Sequence, residues 1–115
     1  MVNREVVGAH YGLRDWLAQR VTAVVMAVYT LLMLSVLAGL PRLDYWQWKA
    51  VWQTPVVRYA TVLVIICLLL HTWIGVRNIF MDYIKDPALR LTLYVLTIGA
   101  LIWYGVWSMR ILWSA

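Results

Sequence analysis

The sequence predicts an all-α membrane protein, three transmembrane helices that form part of a heteromeric helical bundle. Three observations carry this prediction. Residues of the set AVILMFWYC make up 64% of the 115-residue chain and charged residues only 13%, whereas a soluble domain averages nearer half apolar and a quarter charged. A chain this short has too much surface per unit volume to hide that much apolar area from water. The apolar residues are gathered into three long charge-free runs. Eight Trp and seven Tyr stand against one Phe, as expected where rings with a polar edge collect at headgroup depth.

The first span covers residues 21–40, the second 59–76 and the third 91–109. Each is long enough to cross a hydrocarbon core of about 30 Å at about 1.5 Å per residue. No linker, repeat or low-complexity tract interrupts the chain, so residues 1–115 form a single membrane-anchor domain. The first run is too long for a signal peptide, and Val36-Leu37-Ala38 makes a poor cleavage site. The first twenty residues have no Ser and contain Glu5 and Asp15, unlike a mitochondrial transit peptide. This points to a bacterial inner-membrane protein.

Between the first two spans, residues 41–58 carry Tyr45, Trp46, Trp48 and Trp52. A short helix lying in the interface would hold those rings at headgroup depth. Pro55 is placed to open the second helix. Asp86 and Pro87 stand just before the third. A Pro in the first turn costs little, because its missing N–H has no partner there.

Orientation follows from Lys and Arg. Arg4, Arg14, Arg20, Arg77, Lys85 and Arg90 lie on one side; Arg42, Lys49, Arg58 and Arg110 lie on the other. The excess places the N-terminus in the cytoplasm and the C-terminus in the periplasm. The net charge of +5 is spread singly over span ends rather than gathered into a patch, which argues against nucleic-acid binding. One cysteine, Cys67, excludes an intrachain disulfide and reads as a small apolar residue. There is no Gly-rich phosphate loop, no CxxC pair and no nucleophile elbow. A complete soluble active site is therefore absent.

His71 is the most informative residue. It is the one ionisable side chain well inside a span, about 9 Å inward of Arg77 by helical rise. Ionisable residues at that depth are functional candidates, and neutral imidazole is a common axial ligand of haem iron. Cys67, His71, Gly75, Asn78 and Asp82 fall within about 40° of one line along the helix. Gly75 removes bulk on the histidine's own face, where a flat macrocycle or another helix could approach. Spacing alone leaves three roles open for His71: a hydrogen-bonded packing histidine, a cofactor ligand, or a proton relay. A bis-histidine haem would need a second histidine. His10 lies in the polar N-terminal segment and reads as solvated, so the second ligand would come from another subunit.

Asp82 and Tyr83 follow the second span. A phenol donor beside a carboxylate at that depth could bind and protonate a polar headgroup entering from lipid; the plainer alternative is an interface anchor beside a solvated acid. Arg20, on the same side, could pair with an anionic group such as a haem propionate or Asp82, or could act only as a topology determinant.

These residues also carry a family resemblance. From Arg14 to its C-terminus the chain resembles the small hydrophobic membrane anchor of bacterial succinate dehydrogenase, the respiratory succinate:quinone oxidoreductase or complex II. The matching segments are His71-Thr72-Trp73-Ile74-Gly75, then Asp82-Tyr83-Ile84-Lys85, then Ala88-Leu89-Arg90-Leu91. Arg20 opens the first span, and the three-span frame is shared. Two departures stand out: Arg14 next to Asp15, where members of the family carry a histidine, and Asp86-Pro87 after the lysine.

The resemblance implies that His71 is an axial ligand of haem b and that a second membrane anchor, of the cytochrome b556 type, supplies the other histidine. It implies that Arg20 and Gly75 lie against the haem, that the Tyr83 phenol hydrogen-bonds a ubiquinone carbonyl, and that Asp82 supports that site. The flavoprotein subunit with its FAD would oxidise succinate, and the iron–sulfur subunit with its Fe–S clusters would pass electrons to the quinone. This chain would have no dehydrogenase activity alone; it would anchor both soluble subunits in a complex serving the citric acid cycle and the aerobic respiratory chain. Trimers of the complex are the assembly that related enzymes suggest. The alternative is a haem-free anchor of a fumarate reductase-type complex. A transporter or channel subunit, with His71 as relay, would need more polar residues facing a pathway, and no acid lies in any span.

Overall fold

A computed structural model describes the backbone of residues 4–114 and the side chains of residues 12–114; His10 and its side chain's surroundings lie outside the described side chains. The chain is helical, with four elements: α1 (Arg4–Ala38), α2 (Tyr45–Gln53), α3 (Pro55–Tyr83) and α4 (Pro87–Ser114). No strand occurs among the described residues. Three stretches, Gly12–Ala38, Pro55–Tyr83 and Pro87–Ser114, are long and apolar enough to cross a membrane.

The three long helices outrun the apolar runs that announced them, except that α1 stops at Ala38, two residues short of the expected end of the first span at 40, where Gly39 makes a turn ahead of Pro41. α1 begins at Arg4 and continues without a break through Arg14, Asp15 and Arg20. A charge ends an apolar run but does not end a helix, and no Pro occurs before Pro41. At about 1.5 Å per residue the 35 residues of α1 reach about 52 Å, well beyond a hydrocarbon core of about 30 Å.

The aromatic loop does contain a short helix. Asp44 caps α2, its Oδ1 accepting a hydrogen bond from the Gln47 backbone N–H at 2.9 Å. Tyr45 packs edge-on against Trp46 at 5.0 Å between centroids, and Trp48 against Trp52 at 5.6 Å. Pro55 occupies the first turn of α3 and Pro87 the first residue of α4, as the sequence predicts. The tight turn between α3 and α4 is closed by Arg90, whose Nε donates to the Ile84 carbonyl at 3.1 Å.

α3 is the central helix: α1, α2 and α4 each pack on it. Against α4 it uses rings, with Tyr94 edge-on to Trp73 and stacked on Phe80. Gly105 on α4 lies against α3, where a Cβ would meet the flexible tip of Leu69, its Cδ1, at 3.0 Å. Small residues commonly mark such approaches in bilayers.

Against α1 the contact is polar at three levels. Asp15 forms an ion pair with Arg77, Thr22 Oγ1 lies 3.0 Å from His71 Nδ1, and Tyr29 Oη lies 2.6 Å from Thr61 Oγ1. Asp15, Thr22 and Tyr29 recur every seven residues along α1. That is the period of a seam between helices crossing at a shallow angle. Few side chains are buried: Val51, Cys67, Ile74 and Leu112 among the apolar ones, Thr22 and Thr61 among the polar. Most large apolar side chains face outward, which suits contact with lipid or with other membrane helices rather than with water.

Candidate functional site

His71 sits in the middle of α3, half-buried, on the face turned to α1. Cys67 one turn before it and Ile74 just after it are both buried. Its Nδ1 meets the Thr22 hydroxyl at 3.0 Å, and Thr22 is only 5% exposed. The imidazole therefore has the hydroxyl partner expected of a packing histidine. That bond occupies one ring nitrogen. Nε2 makes no hydrogen bond among the described residues, so packing and ligation are compatible roles for the same ring.

One turn further, Gly75 faces α1: a Cβ on it would lie 3.6 Å from the Gln19 Nε2, an ordinary contact. The Oε1 of the same amide is buried without a hydrogen-bond partner among the described residues. An orphaned buried carbonyl oxygen is uncommon in a settled structure. Gln19 lines a cleft of about 520 Å³ between α1 and α3, with Asp15, Trp16, Arg20 and Asn78 among its walls. The cleft opens beside the Asp15–Arg77 ion pair.

Arg20 is exposed, and its guanidinium lies over the Trp16 ring one turn earlier, 5.2 Å from the centroid. It makes no ion pair with Asp82, one of the partners its charge suggested; the two ion pairs among the described residues are Arg42–Asp44 and Asp15–Arg77. The reason is local: Trp16 is a helical neighbour of Arg20 on α1, whereas Asp82 is an exposed residue at the far end of α3. Arg20 thus stands at the cleft as a cation with no acid partner among the described residues.

Asp82 and Tyr83 form the last residues of α3. Both are exposed, Tyr83 at 77%, and neither lines the cleft, nor does His71. The Asp82–Tyr83 pair at the helix end is therefore distinct from the α1–α3 contact that carries both His71 and the cleft. No three His, Cys, Asp or Glu side chains converge among the described residues. Thr22, Gln19, Asp15 and Arg77 were not singled out from sequence as site residues. The seven-residue recurrence of Asp15, Thr22 and Tyr29 is the signal that could have found Asp15 and Thr22; Gln19 and Arg77 carry no such mark.

A model of the succinate dehydrogenase/fumarate reductase transmembrane subunits matches residues 2–107 of the chain. Over 104 residues the chain is 36% identical to the succinate dehydrogenase hydrophobic membrane anchor subunit of Coxiella burnetii (strain RSA 493 / Nine Mile phase I), an alignment that covers 90% of each chain.

Proposed function

The chain belongs to the succinate dehydrogenase/fumarate reductase transmembrane subunit family, and on that premise we propose that it anchors a succinate:ubiquinone oxidoreductase in the inner membrane, shares haem b with a second membrane anchor and lends Tyr83 to the quinone site. The observation that carries this reading is His71: an imidazole with one nitrogen unengaged among the described residues, on the same α1–α3 contact as a cleft lined by Arg20, which has no acid partner among those residues, and by Gln19, whose Oε1 has no hydrogen-bond partner among them.

These residues fit a haem held from one side. His71 would hold the haem iron from this chain, and Arg20, at the α1–α3 cleft, would face the anionic propionates. A single imidazole cannot complete a bis-histidine site, so the second ligand belongs to the partner anchor. The outward-facing apolar side chains of α1 and α4 favour the same conclusion, since partner helices would have apolar faces to pack on. When bound, haem b supplies a one-electron redox centre within the membrane.

The quinone end of the reading rests on Tyr83. Its phenol is free to donate a hydrogen bond to a quinone carbonyl, and Asp82 beside it is placed to hold or pass a proton as the quinone is reduced to the quinol. Electrons would come from succinate through the flavoprotein and iron–sulfur subunits, docked on the cytoplasmic side where the basic excess sets the N-terminus and Tyr83.

The test is a reduced-minus-oxidised absorption spectrum of the complex purified through a tag on this chain. A b-type band reduced by succinate, and lost or shifted in His71→Leu, is the expected result. A dehydrogenase-containing complex without haem would replace this reading with the haem-free anchor of a fumarate reductase-type enzyme. Recovery of neither haem nor dehydrogenase would sink both.

A further inference from the structure

The Thr22 hydroxyl has three close polar neighbours: Ala18 O at 2.7 Å, Gln19 O at 3.2 Å and His71 Nδ1 at 3.0 Å. It owns one proton and two lone pairs. The two carbonyl oxygens can only accept. Two oxygens 2.7 Å apart are at an O–H···O distance; without a proton between them their lone pairs would face each other. The hydroxyl proton therefore lies on the Ala18 side, in the back-bond to the preceding turn that threonine commonly makes in helices. What remains for His71 is a lone pair, so Nδ1 must carry a hydrogen. Thr22 is 5% exposed, which leaves little room for water to compete for that lone pair.

We infer that Thr22 is the positioning residue for His71: by donating to the Ala18 carbonyl and accepting from Nδ1–H, it fixes the imidazole tautomer whose Nε2 is bare and available to a metal. The inference rests on the proposed ligation of haem by His71. It adds what sets that ligand. A metal-binding histidine is commonly held through its other nitrogen, which fixes the ring and raises its basicity. The usual partner is a carboxylate or a backbone carbonyl; here it is a hydroxyl made acceptor-only by a carbonyl on its own helix. Thr22 thus acts across the α1–α3 seam without touching the iron.

Thr22→Val keeps the β-branched shape and removes the acceptor, whereas Thr22→Ser keeps the hydroxyl. In the purified complex, Thr22→Val should weaken haem retention about 10–100-fold, the usual effect of losing such a partner. It should also raise the haem midpoint potential, because a less basic ligand stabilises the oxidised iron less. Thr22→Ser should restore both. Thr22→Ala cannot overpack the seam and carries the same expectation if Thr22→Val fails to assemble. A complex of Thr22→Val or Thr22→Ala with unchanged retention and potential, in which His71→Leu still removes or shifts the haem band, would overturn the inference while leaving His71 as the ligand. An unaltered haem in His71→Leu would instead remove the ligation reading, and the role of Thr22 with it.

Discussion

The Tyr29 hydroxyl lies 2.6 Å from Thr61 Oγ1, at the end of the α1–α3 seam away from Asp15 and Arg77. Thr61 also donates to the Val57 carbonyl at 2.7 Å. Its proton is thereby committed, so the phenol donates and the threonine accepts. The seam thus has three polar cross-links, one ionic and two through threonines that back-bond to their own helices. Replacing Tyr29 with Phe removes one donor and leaves Thr61 satisfied by Val57. The expected cost is about 0.6–1.5 kcal/mol, read as a modest fall in the thermal midpoint of the detergent-solubilised complex.

The Asp15–Arg77 pair is about one-third exposed on each side, so solvent screens part of its attraction. A double-mutant cycle with Asp15→Asn and Arg77→Gln should give a coupling of about 0.2–1 kcal/mol. The two single changes should together cost more than the double change does. Strict additivity would show that the two charges do not couple in the assembled complex.

Tyr83→Phe removes only the phenolic oxygen from a side chain that is 77% exposed, so folding should be unaffected. Loss of one hydrogen bond to a quinone carbonyl, about 1.4 kcal/mol, corresponds to about ten-fold in quinone reduction. Succinate oxidation with an artificial acceptor should survive. Equal loss of both activities would count against a quinone role for Tyr83.

At Gly105 the nearest atom to an added Cβ is the tip of Leu69, 3.0 Å away. A methyl can be met by a rotamer change at Leu69, so Gly105→Ala should be close to neutral. Gly105→Leu should force α3 and α4 apart at about 1–3 kcal/mol. Thermal melts of the two variants, compared side by side, check the difference.

Topology is testable on this chain alone. A reporter that is active only in the periplasm should be active when fused after Trp113 and silent when fused in the turn at Asp86. The opposite pattern would move Tyr83 and the docking of the soluble subunits to the other side.

Much of the architecture was legible because bilayers impose strong rules. Charge-free runs marked the spans, aromatic density marked α2, and Pro55 and Pro87 marked helix starts. The length of α1 was not legible, since Arg14, Asp15 and Arg20 interrupt hydropathy but not backbone hydrogen bonding. His71 stood out because an ionisable group in an apolar run is rare. Its partner Thr22 did not, since one threonine among several in the spans carries no mark until the facing helix is in register. The same limit hid Asp15–Arg77 and made Asp82 look a natural partner for Arg20. Charge sign names candidates, but helix register chooses among them.

The polar seam joins the first and second membrane-crossing helices, α1 and α3, and this has a consequence for biogenesis. While the nascent chain has delivered only α1 to the translocon, Asp15, Thr22 and Tyr29 have no opposite numbers. Their partners on α3 are made in the order Thr61, His71, Arg77, and none of the three cross-links draws on a residue of α4, so the seat of His71 against Thr22 is fully encoded before α4 is synthesised.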